Sequence, residues 1–267
     1  MERIGLIAGN RKFPLIFAAK AKDLGYYIVA VAIKGDTSRR LRSYVDKLYW
    51  LKVEEFKKAF DIFKQEGVTK IVMAGQVNPR HLFNTRVTDN PDVRDLMENI
   101  KDRKADSIFG MLAKKIEDSG FELLDSTTFI KDCLPKKGVL TKREPAPQAW
   151  QDISFGYEIA KQMGSLDIGQ TVAIKNKAVV AVEALEGTDA LIKRAGRIGG
   201  AGTVVVKVSK PSQDMRFDIP VVGLKTIKNL IHTGISVLAI EAEKTLFIDR
   251  KEAVLLADRK GISIVAI

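Results

Sequence analysis

The chain predicts an α/β protein in two parts: an N-terminal domain on a parallel sheet and a C-terminal mixed α/β domain. Three observations carry this. Short apolar runs alternate with amphipathic stretches through the first half, the pattern of strand–helix–strand units. A stretch with Pro135, Pro145, Pro147, Lys136, Lys137, Lys142 and Arg143 interrupts it. Two apolar runs joined across Asn176-Lys177 then announce a hairpin. At 267 residues the chain favours two domains over one. The expected division is 1–130, a linker or entry loop at 131–148, and 149–267.

The first half reads as Rossmann-like. Ile4–Ala8 is a strand ended by Gly9, and Pro14 sits in the first turn of a helix running to about Leu24. Strands follow at Tyr27–Ile33, Asp46–Leu51 and Lys70–Ala74. Phe56, Ala59, Phe60 and Phe63 recur at helical spacing within Val53–Gln65. Met97–Asp118 is helical with a break near Asp106, and Glu122–Leu124 is a last short strand. In the second half, Ala149–Met163 is a helix ended by Gly164. The strands Gln170–Lys175 and Ala178–Ala184 form the hairpin, and a helix spans Ala190–Arg197 behind a Thr188 or Asp189 cap. Thr203–Val208, Ser236–Ile240, Thr245–Ile248 and Ile262–Ile267 are strands. Leu224–His232 and Lys251–Arg259 are helices, the latter capped by Asp249.

Composition excludes several classes. The longest apolar runs are strand-length, and Met1-Glu2-Arg3 leads into a strand rather than a signal peptide. The single cysteine, Cys133, excludes an intramolecular disulfide and fits a reducing cytosol. Only His81 and His232 occur, too few for a histidine-rich bimetal phosphoesterase or a His-x-x-x-His zinc site. No G-x-S-x-G elbow and no Walker A loop is present. The net charge of +11 suits an anionic partner. The lysines are dispersed and no aromatic-interleaved basic stripe occurs, so nucleic acid is not expected.

If the protein is a hydrolase, carboxylates and a hard cation must do the work. The segment Lys210–Pro220 is the prime candidate. Between Pro211 and Pro220 an extended chain is expected, which places Asp214, Arg216 and Asp218 on one face. The two carboxylates would then lie roughly 7 Å apart. That spacing suits one metal-binding carboxylate and one helper, with a guanidinium between them for a phosphate oxygen. A half-buried edge strand with a salt-bridge ladder is the alternative. Two loops at the carboxyl edge of the first sheet also stand out: Gly9-Asn10-Arg11-Lys12-Phe13-Pro14 and Gly75-Gln76-Val77-Asn78-Pro79-Arg80. The full dinucleotide fingerprint is absent, and plain turn chemistry accounts for either loop alone. Glu183 and the turn Glu186-Gly187-Thr188-Asp189 place acids beside a helix start, where they can cap it or share a cation with phosphates.

Taken together, these motifs resemble the LpxI-type UDP-2,3-diacylglucosamine pyrophosphatases of lipid A biosynthesis. The resemblance runs through Gly5-Leu6-Ile7-Ala8-Gly9 with Phe13-Pro14, Gly75-Gln76-Val77 and Leu166-Asp167-Ile168-Gly169-Gln170. It continues with Ala181-Val182-Glu183-Ala184 and Glu186-Gly187-Thr188-Asp189. It is strongest in Lys210-Pro211, Gln213-Asp214, Arg216, Asp218, Pro220, Gly223 and Thr226. Two departures stand out. Where the family places a second glycine before the Phe-Pro pair, this chain has Asn10-Arg11-Lys12, and the mid-chain acidic pair is reduced to Asp106-Ser107.

The resemblance implies hydrolysis to UMP and 2,3-diacylglucosamine 1-phosphate, with Mg2+ required and a ligand cleft between the two domains. It implies a lipid-linked nucleotide sugar as partner and a cytoplasmic protein meeting the inner-membrane surface transiently, with homodimerisation left open. Asp214, Arg216 and Asp218 are the expected catalytic residues, and Asp214, Asp218 and Glu183 the expected metal contacts. Gly9, Asn10, Phe13, Gly75, Gln76, Thr188, Lys207, Lys210 and Gln213 are the expected substrate contacts. A non-catalytic nucleotide-sugar or lipid-binding regulator on the same fold is the alternative.

Overall fold

A computed structural model describes residues 1–78, 81, 84–98 and 105–267. The chain divides into two units: Met1–Lys131 with Asp214–Asp218, and Asp132–Gln213 with Ile219–Ile267. The chain therefore leaves the second unit at Gln213, contributes five residues to the first, and returns at Ile219.

The first unit is built on five strands, β1 (Arg3–Ala8), β2 (Tyr27–Ile33), β3 (Lys47–Leu51), β4 (Lys70–Ala74) and β5 (Glu122–Leu123), in the order β3-β2-β1-β4-β5. Every pairing is parallel, with Ala8 level with both Ala32 and Ala74 at the carboxyl edge. The order reverses between β1 and β4, the place where such sheets open a ligand crevice. Its helices are α1 (Phe13–Asp23), α2 (Phe56–Gln65), α3 (Thr85–Thr88), α4 (Pro91–Glu98) and α5 (Ala105–Asp118).

The central strands are apolar on both faces because helices cover both. On one side Val29, Val31, Ile71 and Met73 pack with Phe60 and Phe63 of α2 and Ala113 and Ile116 of α5. On α1, Phe13, Phe17, Ala18 and Ala21 are buried, and Phe17 meets Phe129 with ring centres 5.3 Å apart. Fully burying a side chain such as Phe63 is worth about 1.5–3 kcal/mol, so this aromatic set anchors the unit. Pro79, Arg80 and residues 99–104 lie outside the described residues, and α5 runs through Asp106 without the expected break.

The second unit carries a six-stranded mixed sheet, ordered β6-β13-β11-β9-β7-β8. The strands are β6 (Gly138–Val139), β7 (Thr171–Lys175), β8 (Ala178–Val182), β9 (Val204–Lys207), β11 (Val237–Ile240) and β13 (Ser263–Ala266). β10 (Val221–Val222) and β12 (Leu246–Phe247) pair separately. β9, β11 and β13 are parallel, whereas β6, β7 and β8 join antiparallel. One face packs Ile153, Ala160 and Met163 of α6 (Pro147–Ser165) on Val172, Ile174, Val204 and Val206. The other face packs α7 (Thr188–Gly199), α8 (Leu224–Thr233) and α9 (Arg250–Arg259) on Ala173, Val205, Leu238 and Ile264. The β7–β8 turn has positive φ at Asn176 (51°) and Lys177 (60°), the signature of a tight hairpin turn. Buried Asp152 pins it, accepting from the Asn176 and Lys177 amides at 2.9 and 2.7 Å.

Four expectations are corrected. The stretch 131–148 is not a free linker. It holds edge strand β6, the Lys142 amide donates to Asp258 Oδ1 at 2.8 Å, and Arg143 donates to the Gly261 carbonyl at 2.9 Å. Helix α6 begins at Pro147 and runs through Gly164 to Ser165. The segment Lys210–Pro220 is a succession of turns rather than an extended strand. Asp249 sits at the N-cap of α9 with no side-chain capping bond, its carbonyl accepting from Ala253 N at 2.9 Å.

Candidate functional site

At the carboxyl edge of the second unit's parallel strands, β9 ends at Lys207, whose side chain is almost fully buried. Its ammonium donates to Thr188 Oγ1 at 2.7 Å and lies 4.0 Å from Glu183 Oε2. Thr188 in turn donates to Glu183 Oε1 at 2.8 Å. Thr188 is the first residue of α7, and Gly187 (φ 80°) is its N-cap, so the helix N-terminus adjoins the lysine. Glu183 Oε2 is buried with no hydrogen-bond partner, although Lys207 stands at ion-pair range. Asp189, the other acid of this turn, accepts from Asn229 at 2.8 Å and pairs with Lys225 at 2.7 Å, which ties α7 to α8.

Beyond β9 the loop 208–213 is held from below. Glu241, just past β11, accepts from the Ser209 amide at 2.7 Å, the Ser209 hydroxyl at 2.8 Å and Lys161 at 2.7 and 2.8 Å. Burial pushes the Glu241 carboxyl up. The Lys161 and Ser209 bonds outweigh it and hold the group below the usual carboxylate range. Lys210, also buried, donates to Asp167 Oδ1 at 2.5 Å. Gln213 folds back so that its Oε1 accepts from the Lys210 amide at 2.8 Å. Lys207 and Lys210 thus stand three residues apart on a loop fixed by backbone and carboxylate bonds.

The segment Asp214–Asp218 belongs to the first unit. Asp214 Oδ1 accepts from the Arg216 amide at 3.0 Å, and the Phe217 and Asp218 amides donate to the Asp214 carbonyl at 3.3 and 3.1 Å. This local turn removes the alternation that would have set Asp214 and Asp218 side by side. The Arg216 guanidinium forks onto Asp214, Nε to Oδ1 at 3.0 Å and Nη2 to Oδ2 at 2.7 Å, and reaches Glu117 at 2.6 Å. The Arg216 hydrogen bonds hold the Asp214 carboxyl below its ordinary range against partial burial. Buried Ser126 clamps the segment, its hydroxyl donating to the Arg216 carbonyl at 2.7 Å and its amide to the Met215 carbonyl at 3.0 Å. Phe217 stacks on Phe109, with ring centres 5.9 Å apart.

At the first unit's own carboxyl edge, Asn10 N donates to Gln76 O at 2.8 Å and Gly9 N to Ala74 O at 2.8 Å. The loops touch through backbone. A Cβ on Gly75 (φ 87°) would fall 2.6 Å from the Asn10 carbonyl, and one on Gly9 would fall 2.6 Å from the Gln76 carbonyl. Glycine is therefore required at both positions. Asn10 Oδ1 is buried without a hydrogen-bond partner. Phe13 is buried in the core of α1 and is not a surface contact. Arg11, in the middle of the Asn10-Arg11-Lys12 stretch, holds a left-handed backbone (φ 67°). Just past β2, Asp36 Oδ2 accepts from the Asn78 amide at 2.9 Å and contacts His81 Nε2 at 3.2 Å.

In the second unit the structure joins Lys207, Thr188 and Glu183 in one cluster, with Lys210 and Gln213 on the adjoining loop. In the first it joins Asp214 with Arg216, and separately Gly9 and Asn10 with Gly75 and Gln76. Sequence reading missed Asp167, Lys161, Ser209, Glu241 and Glu117. Of these, Asp167 lay within a quoted motif, whereas the others carry no local signal.

Among the described residues no group of three or more His, Cys, Asp or Glu side chains comes together as a metal site. Magnesium retains waters and takes one or two carboxylates beside substrate phosphates. Asp214, ionised by its surroundings, fits that lesser demand. Glu183, neutralised by Lys207, fits a supporting place.

Two family models span the chain: the LpxI N-terminal domain matches residues 3–133 and the LpxI C-terminal domain residues 136–265. The chain belongs to the LpxI family. It is 29% identical to the UDP-2,3-diacylglucosamine pyrophosphatase LpxI of Caulobacter vibrioides, over 100% of this chain and 98% of that one. Solved structures resemble it only distantly. An N5-carboxyaminoimidazole ribonucleotide synthetase in complex with ADP shares 12% identity and a TM-score of 0.28, with 76% of this chain aligned. A biotin carboxylase subunit of pyruvate carboxylase shares 13% and 0.28, again over 76%. This chain covers only 46% and 43% of those two, and neither bears on its function.

Proposed function

We infer that this LpxI-family protein hydrolyses the pyrophosphate bond of UDP-2,3-diacylglucosamine to UMP and 2,3-diacylglucosamine 1-phosphate. The observation that carries this reading is that both LpxI domain models match in order over almost the whole chain. The geometry agrees. Splitting a phosphoanhydride needs neutral surroundings for charge on both phosphoryl groups and a positioned water. Water oxygen bonds to one phosphorus, the bridging oxygen departs with the other phosphate, and the proton leaves to a base.

Lys207 and Lys210 supply buried positive charge, and the amides at the start of α7 add to it. Asp214 supplies a carboxylate that stays ionised at neutral pH. We propose that Asp214 either receives the water proton or holds a magnesium ion, with Asp218 beside it in the same turn. Bound magnesium would supply charge neutralisation on the phosphate oxygens. Arg216 would exchange part of its grip on Asp214 or Glu117 for a phosphate oxygen. Gly9, Asn10, Gly75 and Gln76 are proposed to offer backbone and amide groups to the nucleotide sugar. Among the described residues no helix is long and apolar enough to cross a membrane. We therefore propose that the diacylated substrate is met at the cytoplasmic face of the inner membrane by transient contact.

The test is direct. Purified protein with UDP-2,3-diacylglucosamine and magnesium should release UMP and the diacylated sugar phosphate in equal amounts. EDTA should abolish turnover, and UDP-glucose should react far more slowly. Full activity in EDTA would refute the magnesium proposal, and equal turnover of UDP-glucose would refute the lipid specificity.

A further inference from the structure

We propose that the surface formed by α9 and the 136–144 segment docks on an anionic phospholipid bilayer. The proposal rests on the reading of a diacylated substrate and names the face that meets the membrane. The two segments form one surface. β6 pairs with β13, the Leu140 amide donates to Ile264 O at 2.8 Å, the Lys142 amide to Asp258 Oδ1 at 2.8 Å, and Arg143 to Gly261 O at 2.9 Å. Between them lies an open groove lined by Leu140, Val254 and Leu255 with Arg250 and Lys251.

Leu255, near the middle of α9, is 58% exposed, while Ala253 and Ala257 take the helix's buried side. The apolar strip has cations at both ends. Arg250 and Lys251 stand at the start of α9. Arg259, Lys260, Lys142 and Arg143 stand at its finish, and Lys136 and Lys137 precede β6, all of them exposed. The acids on these segments are fewer: Glu144 and Glu252 are exposed, and Asp258 is engaged by the Lys142 amide. An apolar strip ringed by basic side chains matches the boundary of an anionic bilayer, where acyl tails adjoin phosphate headgroups. A groove this open does not enclose a ligand; it lies against a surface. None of these residues belongs to the clusters around Lys207 or Asp214, so docking and hydrolysis can be measured apart.

The experiment is sedimentation of the full-length protein with vesicles. One set contains phosphatidylethanolamine with phosphatidylglycerol, the other phosphatidylethanolamine with phosphatidylcholine. The protein should bind the first set at low salt, release from it at high salt, and ignore the second. Arg250→Glu/Lys251→Glu should weaken binding at least tenfold, since each basic group near such a surface contributes about 1 kcal/mol. Leu255→Ala should weaken it about threefold. A control with the same charge change on the exposed side of α7, Lys193→Glu/Arg197→Glu, should bind within twofold of the parent.

All variants should hydrolyse detergent-dispersed substrate at the parent rate, while the α9 variants should be slow on substrate in anionic vesicles. Equal loss in the control and the α9 variants would reduce the effect to net charge and overturn the proposal. Binding to polyglutamate but not to vesicles would assign the face to an acidic protein and also overturn it. Vesicle binding by the parent with no turnover of dispersed substrate would sink the hydrolase reading and leave the docking face standing.

Discussion

The two units each end their parallel strands in a polar edge, but they build it from different material. In the first unit the edge is backbone: Gly9 and Gly75 let two loops touch, and Asn10 N meets Gln76 O. In the second it is buried charge: Lys207 with Glu183 and Thr188, and Glu241 with Lys161 and Ser209. A backbone edge recognises shape and tolerates little added volume. A buried charged edge holds anions, and it is sensitive to the removal of any one partner. The comparison can be broken or sharpened by substitutions on each side.

The largest effect on stability is expected at Lys207. Lys207→Met leaves Glu183 buried without its ion partner and should lower stability by about 3–5 kcal/mol. Adding Glu183→Gln should recover most of that loss in urea unfolding, while turnover stays down about 10²-fold because phosphate charge is no longer matched. If the double variant regained activity with its stability, the lysine would be structural only.

On the backbone side, Gly75→Ala forces a Cβ against the Asn10 carbonyl from a left-handed conformation and should lower stability by about 1–3 kcal/mol. Thermal melting checks this, and an unchanged midpoint would show that the loops are not locked together.

Glu241→Gln should lower stability by about 1–3 kcal/mol through the weakened Lys161 contact. It also carries a pH signature. The folded-state pKa of Glu241 is depressed, so its contribution is present above the ordinary carboxylate range, about 4, and is lost as pH falls through the lower folded value. Asp214 has the same sign. Urea midpoints of the parent should therefore drop steeply below about pH 4, and the profile of Glu241→Gln should be flatter there. The smallest effect is a gain. Arg11→Gly relieves a left-handed arginine and should stabilise by about 1 kcal/mol.

Much of the fold was legible because its strands are continuous apolar runs bounded by turn residues. Tyr27–Ile33 and Lys70–Ala74 match the structure residue for residue, and Asn176-Lys177 does turn the hairpin. β6 was hidden because two residues carry no periodicity, and prolines around it read as a linker. The Lys210–Pro220 segment was misread because pattern cannot show that Asp214 will accept the Arg216 amide, or that Ser126 will clamp the segment from 90 residues away. Phe217 packs against the first unit's core. Lys161, Ser209 and Glu241 were invisible for the same reason as Ser126: each is an ordinary polar residue until the fold brings it to its partners.

Asp214 tests the account most directly. Its carboxylate is held by Arg216 in a turn donated to the first unit, and the hydrolysis proposed above depends on it. The measurement is single-turnover release of UMP from UDP-2,3-diacylglucosamine by Asp214→Ala, beside its thermal melt and its affinity for substrate. The account predicts a rate lower by about 10³-fold or more, with the fold and substrate binding retained. A rate above a tenth of the parent's, or a loss explained wholly by unfolding, would contradict it.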